Sequence, residues 1–135
     1  NVTFVAADFQ KQTLKTILDQ HCDPHKKTLI IAEGITMYLY ESEVKAIFND
    51  IHDYFNKKVF LIFTFMEKRP NGSIQFANAT FVVNWWLALQ KESFRWGIAP
   101  QLLDTQFLAP LGFAQRELLE PLLSEWVCLC EVNHD

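Results

Sequence analysis

The chain has 135 residues, 50% of them hydrophobic, and a formal net charge of −4. That apolar mass suffices for one packed core, so the composition excludes a disordered tail, and the length bounds the chain at one domain or part of one. The acidic balance leaves no basic footprint for nucleic acid. No apolar run approaches the roughly 18 to 20 residues of a membrane span, and nothing at the N-terminus reads as a signal peptide, so no membrane partner and a cytoplasmic location are expected.

In chain order, VTFVAAD (2–8) opens with β-branched and aromatic residues and predicts a strand. Leu14, Ile17 and Leu18 then give helical spacing over Phe9 to Gln20. His21, Cys22 and His25 invite a metal reading, but without a fourth ligand nearby a surface loop is the simpler one, and no metal is assigned. TLIIAE (28–33) predicts a second strand. Val44, Ile47, Phe48, Ile51 and Phe55 mark a helix over Ser42 to Phe55, with Ser42 as its cap and Glu43 favourable in its first turn. KVFLIFTF (58–65) predicts a third strand. All three runs have the continuous apolar character of parallel strands covered on both faces, joined as β-α-β-α-β.

Beyond Phe65 the pattern changes. Pro70, Asn71 and Gly72 form a loop, Phe76 to Leu89 reads as an aromatic-rich helix, and Trp96, Gly97 and Pro100 turn the chain into a short helix from Gln101 to Leu108. Two strands close the sequence, roughly Ala114 to Leu119 and Trp126 to Val132, as an antiparallel pair. Two asparagine glycosylation triplets, at Asn71 and Asn78, are chance matches without a secretory signal. Cys22, Cys128 and Cys130 read as reduced, buried thiols, because the last two stand two apart on one strand, where bonding to each other is poor.

Asp8 and Glu33 take equivalent places, each the polar residue at the carboxyl end of a predicted parallel strand, and in open α/β sheets that edge binds ligands. Two carboxylates there can accept hydrogen bonds from amino or hydroxyl groups, and Phe9 can lie against a flat ring. Asp8 can equally cap the following helix. For Glu33 that role is weaker, since Gly34 and several more residues separate it from the helix. A carboxylate ending a buried strand needs a positive partner, and the sequence places no cation beside it.

VAADF followed by TLIIAEGITMYLYESEV closely resembles the leucine carboxyl methyltransferase family of class I S-adenosylmethionine-dependent O-methyltransferases. The similarity runs from about Val2 to Phe65 and returns around FLAPLGF (107–113), and EGITMYL is its specific part. The resemblance implies that Asp8 and Phe9 contact the adenine and that Glu33 touches the cofactor, whose sulfonium and free amino group would supply the missing positive partner. Gly34 would let backbone and cofactor approach closely. Tyr38 can donate a hydrogen bond to the substrate, although anchoring the loop against the core is the simpler role. Trp85 and Trp86, with Phe81, Phe94 and Trp96, either line an apolar substrate pocket or pack as core.

Family members also carry a first strand ending in a glycine-rich loop with an Asp-Thr-Arg signature, and a second strand ending in a ribose-holding acid. Neither occurs here, where the four glycines, Gly34, Gly72, Gly97 and Gly112, are scattered. In the family's strand order, 3-2-1-4-5-7-6, the two absent strands would lie between VTFVAAD and TLIIAE. The implied fold class is α/β, a partial doubly wound Rossmann-like methyltransferase sheet lacking its first two strands, with a C-terminal antiparallel pair. Residues 1–66 would form the cofactor side, 67–110 an aromatic-rich substrate cover, and 111–135 the closing strands of one domain. The asparagine at position 1 fits a chain cut from something longer. The implied activity is O-methyl transfer to a carboxyl or hydroxyl acceptor, on a small molecule or a protein carboxylate. The isolated chain is expected to be inactive and to associate, with itself or with the missing N-terminal portion. The opposing reading is a non-catalytic fragment that self-associates through exposed sheet edges.

Overall fold

The structure, a computed structural model, describes residues 2–9, 11–55, 58–76, 94–120 and 125–133. Its centre is a four-stranded mixed sheet in the order β1-β2-β6-β5, built from β1 (Thr28–Ala32), β2 (Val59–Phe65), β5 (Phe113–Leu119) and β6 (Trp126–Val132). β1 and β2 are parallel, with Ile30 opposite Leu61, and β6 runs antiparallel to both β2 and β5. The parallel pair and the closing antiparallel pair thus stand as the sequence predicts. Two short strands, β3 (Glu67–Lys68) and β4 (Ile74–Gln75), form a separate hairpin around Pro70 to Gly72.

Side-chain alternation divides the sheet into two unlike faces. One face carries Ile30, Val59, Leu61, Phe63, Phe65, Cys128, Cys130 and Val132, packed with helix α1 (Leu14–His21) and helix α2 (Glu41–Tyr54) in a single core. Phe48 of α2 is its hub, with its ring 5.1 Å from Phe63, 5.0 Å from Phe107 and 5.1 Å from Phe113, each edge-on. Edge-to-face rings match the positive rim of one to the negative face of the next. On the other face, Leu29 and Ile31 are 57% and 62% exposed, and Phe60, Ile62, Val127 and Leu129 are half-buried. β1 is therefore covered on one face rather than on both as its apolar run predicts.

Residues 2–8 form no strand, against the prediction for Val2 to Ala7. The physical reason is pairing: a strand exists through its neighbours' hydrogen bonds, and in the order 3-2-1-4-5-7-6 the one strand that would pair with this segment, the second, is absent from the sequence. The first helix begins at Leu14 rather than Phe9, because Thr13 caps it, accepting from the Thr16 N–H at 3.3 Å. Asp8 is thus not that cap. Tyr54 fastens α1 to α2, its hydroxyl donating to the carbonyls of Leu18 at 2.9 Å and Cys22 at 2.6 Å.

α2 starts at Glu41, with its N-cap two residues earlier than predicted. Tyr40, not Ser42, is its N-cap residue, and the Glu43 carboxylate accepts from the Tyr40 N–H at 2.7 Å. Between Pro100 and Leu111 the predicted short helix is three linked turns, a 3-10 turn (Pro100–Leu102), a wide π-type turn (Leu103–Leu108) and a second 3-10 turn (Ala109–Leu111). Pro110 has no N–H for a regular i to i−4 bond, so an α-helix cannot continue through it. Gly112 ends the run at φ +78°, and a Cβ there would lie 2.6 Å from the His52 ring. Apart from Phe76 itself, the predicted aromatic helix lies outside the described residues. Cys128 and Cys130 are buried free thiols, but Cys22 is exposed, since it ends α1 at the surface. The hydrogen bond with Cys128, together with burial, holds the Cys130 thiol far above its ordinary range.

Candidate functional site

The carboxyl ends of β1 and β2 are built by one threonine-centred link. Thr64 interrupts the apolar run of β2 and is 6% exposed. Its hydroxyl accepts from the Gly34 N–H at 2.9 Å, and its carbonyl accepts from the Thr36 hydroxyl at 2.6 Å. A polar side chain buried there is stable because each group finds a partner. The link fixes the loop that leaves β1, so that Glu33 projects into solvent and Gly34 turns at φ +67°. Exposure removes the need for a positive partner beside Glu33 that its expected burial implied, since water solvates the carboxylate.

The same loop is locked from a second side. Met37 is 1% exposed, and its carbonyl accepts from the N–H groups of Arg95 at 2.7 Å and Trp96 at 3.4 Å. Arg95 stacks over Tyr40, 4.7 Å from the ring centroid. Tyr38 is 47% exposed and its ring is tilted 6.0 Å from that of Phe94. It is therefore held by an aromatic neighbour at the loop surface and not sunk into the core. Trp96 is 4% exposed and belongs to the core, with its ring 4.9 Å from Phe107, yet it also floors a cleft. Trp85, Trp86 and Phe81 lie outside the described residues.

Two clefts flank these elements. One, about 570 Å³, lies between the turn at Phe9, α1 and α2, and includes Phe9, Lys11, Glu43 and Asp50. The other, about 480 Å³, includes Glu41, Lys68, Arg69, Trp96 and Gln106. Glu33 and Gly34 line neither.

The four cofactor candidates thus fall in two places. Glu33 and Gly34 stand together at the carboxyl end of β1. Asp8 and Phe9 stand in a turn before α1, where the Asp8 carbonyl accepts from the N–H groups of Lys11 and Gln12 and its carboxylate pairs with Lys11 at 3.0 Å. With no strand at residues 2–8, Asp8 is not the end of a strand, and the predicted equivalence of Asp8 and Glu33 along one sheet edge is overturned. Thr36 and Thr64 were missed by the sequence reading. The signal for Thr64 was available as the one polar residue inside VFLIFTF.

An S-adenosylmethionine group fits these residues in part. A Cβ placed on Gly34 would meet nothing within 4 Å, so there is open space beside that backbone, and the adjacent carboxylate is an acceptor. Phe9 offers a half-buried ring at a cleft. No cluster of glycines is present to hold the methionine end. Among the described residues no group of three or more His, Cys, Asp or Glu side chains is placed to hold a metal ion, and no helix is long and apolar enough to cross a membrane.

The leucine carboxyl methyltransferase family model matches residues 1–52. That segment contains both VAADF and EGITMYL, which bears out the resemblance read from the sequence. No curated protein matches the chain. Among solved structures, the pyocyanin biosynthetic protein PhzM is similar with a TM-score of 0.50 at 15% identity, over 77% of this chain and 30% of that one. Magnesium protoporphyrin IX methyltransferase (ChlM) from Synechocystis PCC 6803, solved with bound SAH, gives a TM-score of 0.44 at 11% identity, over 78% of this chain and 44% of that one. The likeness to PhzM shows the α/β fold. The chain spans less than half the length of either structure.

Proposed function

We propose, from the leucine carboxyl methyltransferase match of residues 1–52, that this chain is the C-terminal portion of an S-adenosylmethionine-dependent O-methyltransferase. That match carries the reading. The order β1-β2-β6-β5, with β6 antiparallel to both its neighbours, agrees with the last four strands of the order 3-2-1-4-5-7-6.

When bound, S-adenosylmethionine would supply an electrophilic methyl carbon: an O–CH3 bond to the acceptor would form in line as the CH3–S bond breaks and the sulfur leaves as a neutral thioether. Toward that group, Asp8 would accept from the adenine amino group and Phe9 would lie along the ring. Glu33 would accept from a donor at the end of β1, and Gly34 would leave room for close approach. A carboxylate acceptor is already a nucleophile and needs no general base, so orientation and exclusion of water carry the rate. Lys68 and Arg69 line the cleft floored by Trp96 and offer cations to orient such a carboxylate, on a small molecule or a protein. The Tyr38 hydroxyl can donate at the loop surface. We assign no catalytic base.

A second reading, a non-catalytic portion of the same fold, is favoured by the scattered glycines. Sequencing the natural reading frame upstream of Asn1 separates the two. The enzyme reading expects an apolar strand ending in a glycine-rich loop, followed by a strand ending in an acid. An unrelated upstream segment or an in-frame stop would overturn it.

A further inference from the structure

The hairpin at the rim of the cleft floored by Trp96 carries two residues with no part in acceptor binding, Asn71 and Ser73. Exposed residues Arg69 to Ser73 join β3 to β4 there, with the Gly72 N–H donating to the Arg69 carbonyl at 2.8 Å and the Arg69 N–H to the Ser73 carbonyl at 2.9 Å. Gly72 sits at φ +84°. Folded this way, the turn brings the Asn71 side-chain carbonyl onto two donors, the Ser73 N–H at 3.0 Å and the Ser73 hydroxyl at 2.7 Å. A backbone N–H only donates, so the Asn71 atom facing it is the oxygen.

Both donors lie within the roughly 2.7–3.1 Å at which a hydrogen bond stabilises a developing oxyanion. Attack at the side-chain carbonyl carbon would place that charge on Oδ1. The Gly72 nitrogen is the nucleophile within reach, because closing on it makes a five-membered ring, and glycine has no Cβ to hinder the approach. One contact opposes the attack, the bond from the Gly72 N–H to Arg69. It is a turn bond at an exposed residue, so its release slows the reaction by about tenfold at most.

We propose that Asn71 is a self-modification site, where the Gly72 nitrogen displaces ammonia from the side-chain amide and water then opens the ring to a carboxylate. The bond from the Gly72 nitrogen to Cγ forms as the Cγ–Nδ2 bond breaks; the Gly72 proton passes to solvent, and Nδ2 takes one from it and leaves as ammonia. Water that cleaves the ring at Cγ gives aspartate. Water that cleaves it at the main-chain carbonyl gives isoaspartate, whose backbone is longer by one carbon. Either product adds a negative charge to the rim that Lys68 and Arg69 share. On the methyltransferase reading, from which this consequence follows, the same cations orient an anionic acceptor, so conversion at Asn71 lowers the hold of the cleft on that acceptor.

Incubation of the folded chain at mildly alkaline pH, with digestion and mass spectrometry, tests the modification. Asn71 should gain the mass difference between an amide and a carboxylate before any other asparagine, Asn49 inside α2 included. Ser73→Ala, checked for folding by circular dichroism, keeps Asn71-Gly72 and removes the hydroxyl donor, and should slow conversion about two- to tenfold. Conversion no faster at Asn71 than at Asn49, or an unchanged rate in Ser73→Ala, would overturn the site. Asn71→Asp supplies the charge of the product directly. Benzoate titrated into each chain should shift the Lys68 and Arg69 amides, at about two to five times higher concentration in Asn71→Asp. Equal binding by the two chains, or none by either, would overturn the effect on the cleft. No cofactor enters these measurements, so their failure is distinct from failure of the methyltransferase reading, which the upstream reading frame decides.

Discussion

Replacing Thr64 with valine removes one acceptor from the loop that presents Glu33 and Gly34, and little else. Valine keeps the shape of threonine and the backbone carbonyl that holds the Thr36 hydroxyl at 2.6 Å, while the Gly34 N–H loses its 2.9 Å partner. Gly34 is half-buried, so water can recover part of the bond. The loss is therefore set by the net worth of a hydrogen bond, about 0.5–1.5 kcal/mol, and not by the larger cost of a fully buried orphan. With 1.4 kcal/mol per tenfold, local opening at Gly34 should become about two to ten times more frequent. Native-state amide hydrogen exchange reads this directly, with Phe63, inside β2, as the reference for global unfolding. Thr64→Ser should restore protection. If the exchange of Gly34 relative to Phe63 is unchanged in Thr64→Val, the threonine does not position the loop.

Phe48→Ala removes the ring that joins Phe63, Phe107 and Phe113 and should cost about 3–5 kcal/mol, seen as a large fall in the urea midpoint. A shift within about 0.5 kcal/mol, the scale of ordinary surface changes, would place the core elsewhere. In a protein carrying the whole methyltransferase sheet, Glu33→Ala should weaken S-adenosylmethionine binding by about 1.5–3 kcal/mol in calorimetry, and Asp8→Asn by less, because the amide keeps an acceptor. Unchanged affinity in Glu33→Ala would remove that residue from the site. Burial first, then the charges of Cys22, Asp19 and Asp23, raise the Tyr54 phenol above its ordinary value of 10.0. Its neutral form therefore contributes stability that is fully present below pH 10 and is lost as pH rises through the folded value. Tyr54→Phe should flatten that alkaline limb of a stability curve, and an identical limb in the variant would refute the assignment.

The strands that survive in the structure are those whose partners are also in the sequence. TLIIA and VFLIFTF pair with each other, and WVCLCEV finds β2 on one side and β5 on the other. VTFVAAD has an equally good strand composition and fails, because composition records a propensity while a ladder needs a neighbour. The apolar run of β1 predicts cover on both faces, but α1 and α2 both pack on the Ile30 face and leave Leu29 and Ile31 exposed on the other. Tyr40 is not legible as a cap, since tyrosine is no usual cap and the link runs through the Glu43 side chain. EGITMYL, which holds Glu33 and Gly34, lies within residues 1–52, the segment that the family model matches. The hydrogen bonds that hold their loop were not legible, because Thr36 and Thr64 are 28 residues apart and only the fold brings them together.

Amide chemical-shift mapping of the nitrogen-labelled chain, titrated with S-adenosylmethionine and in parallel with adenosine, tests the account at its centre. Perturbations should concentrate at Asp8, Phe9, Glu33 and Gly34 and saturate only at high ligand concentration, because the glycine-rich loop is absent. Adenosine should reproduce those at Asp8 and Phe9. Perturbations that spare all four amides while gathering elsewhere, or none at any concentration reached, would contradict it.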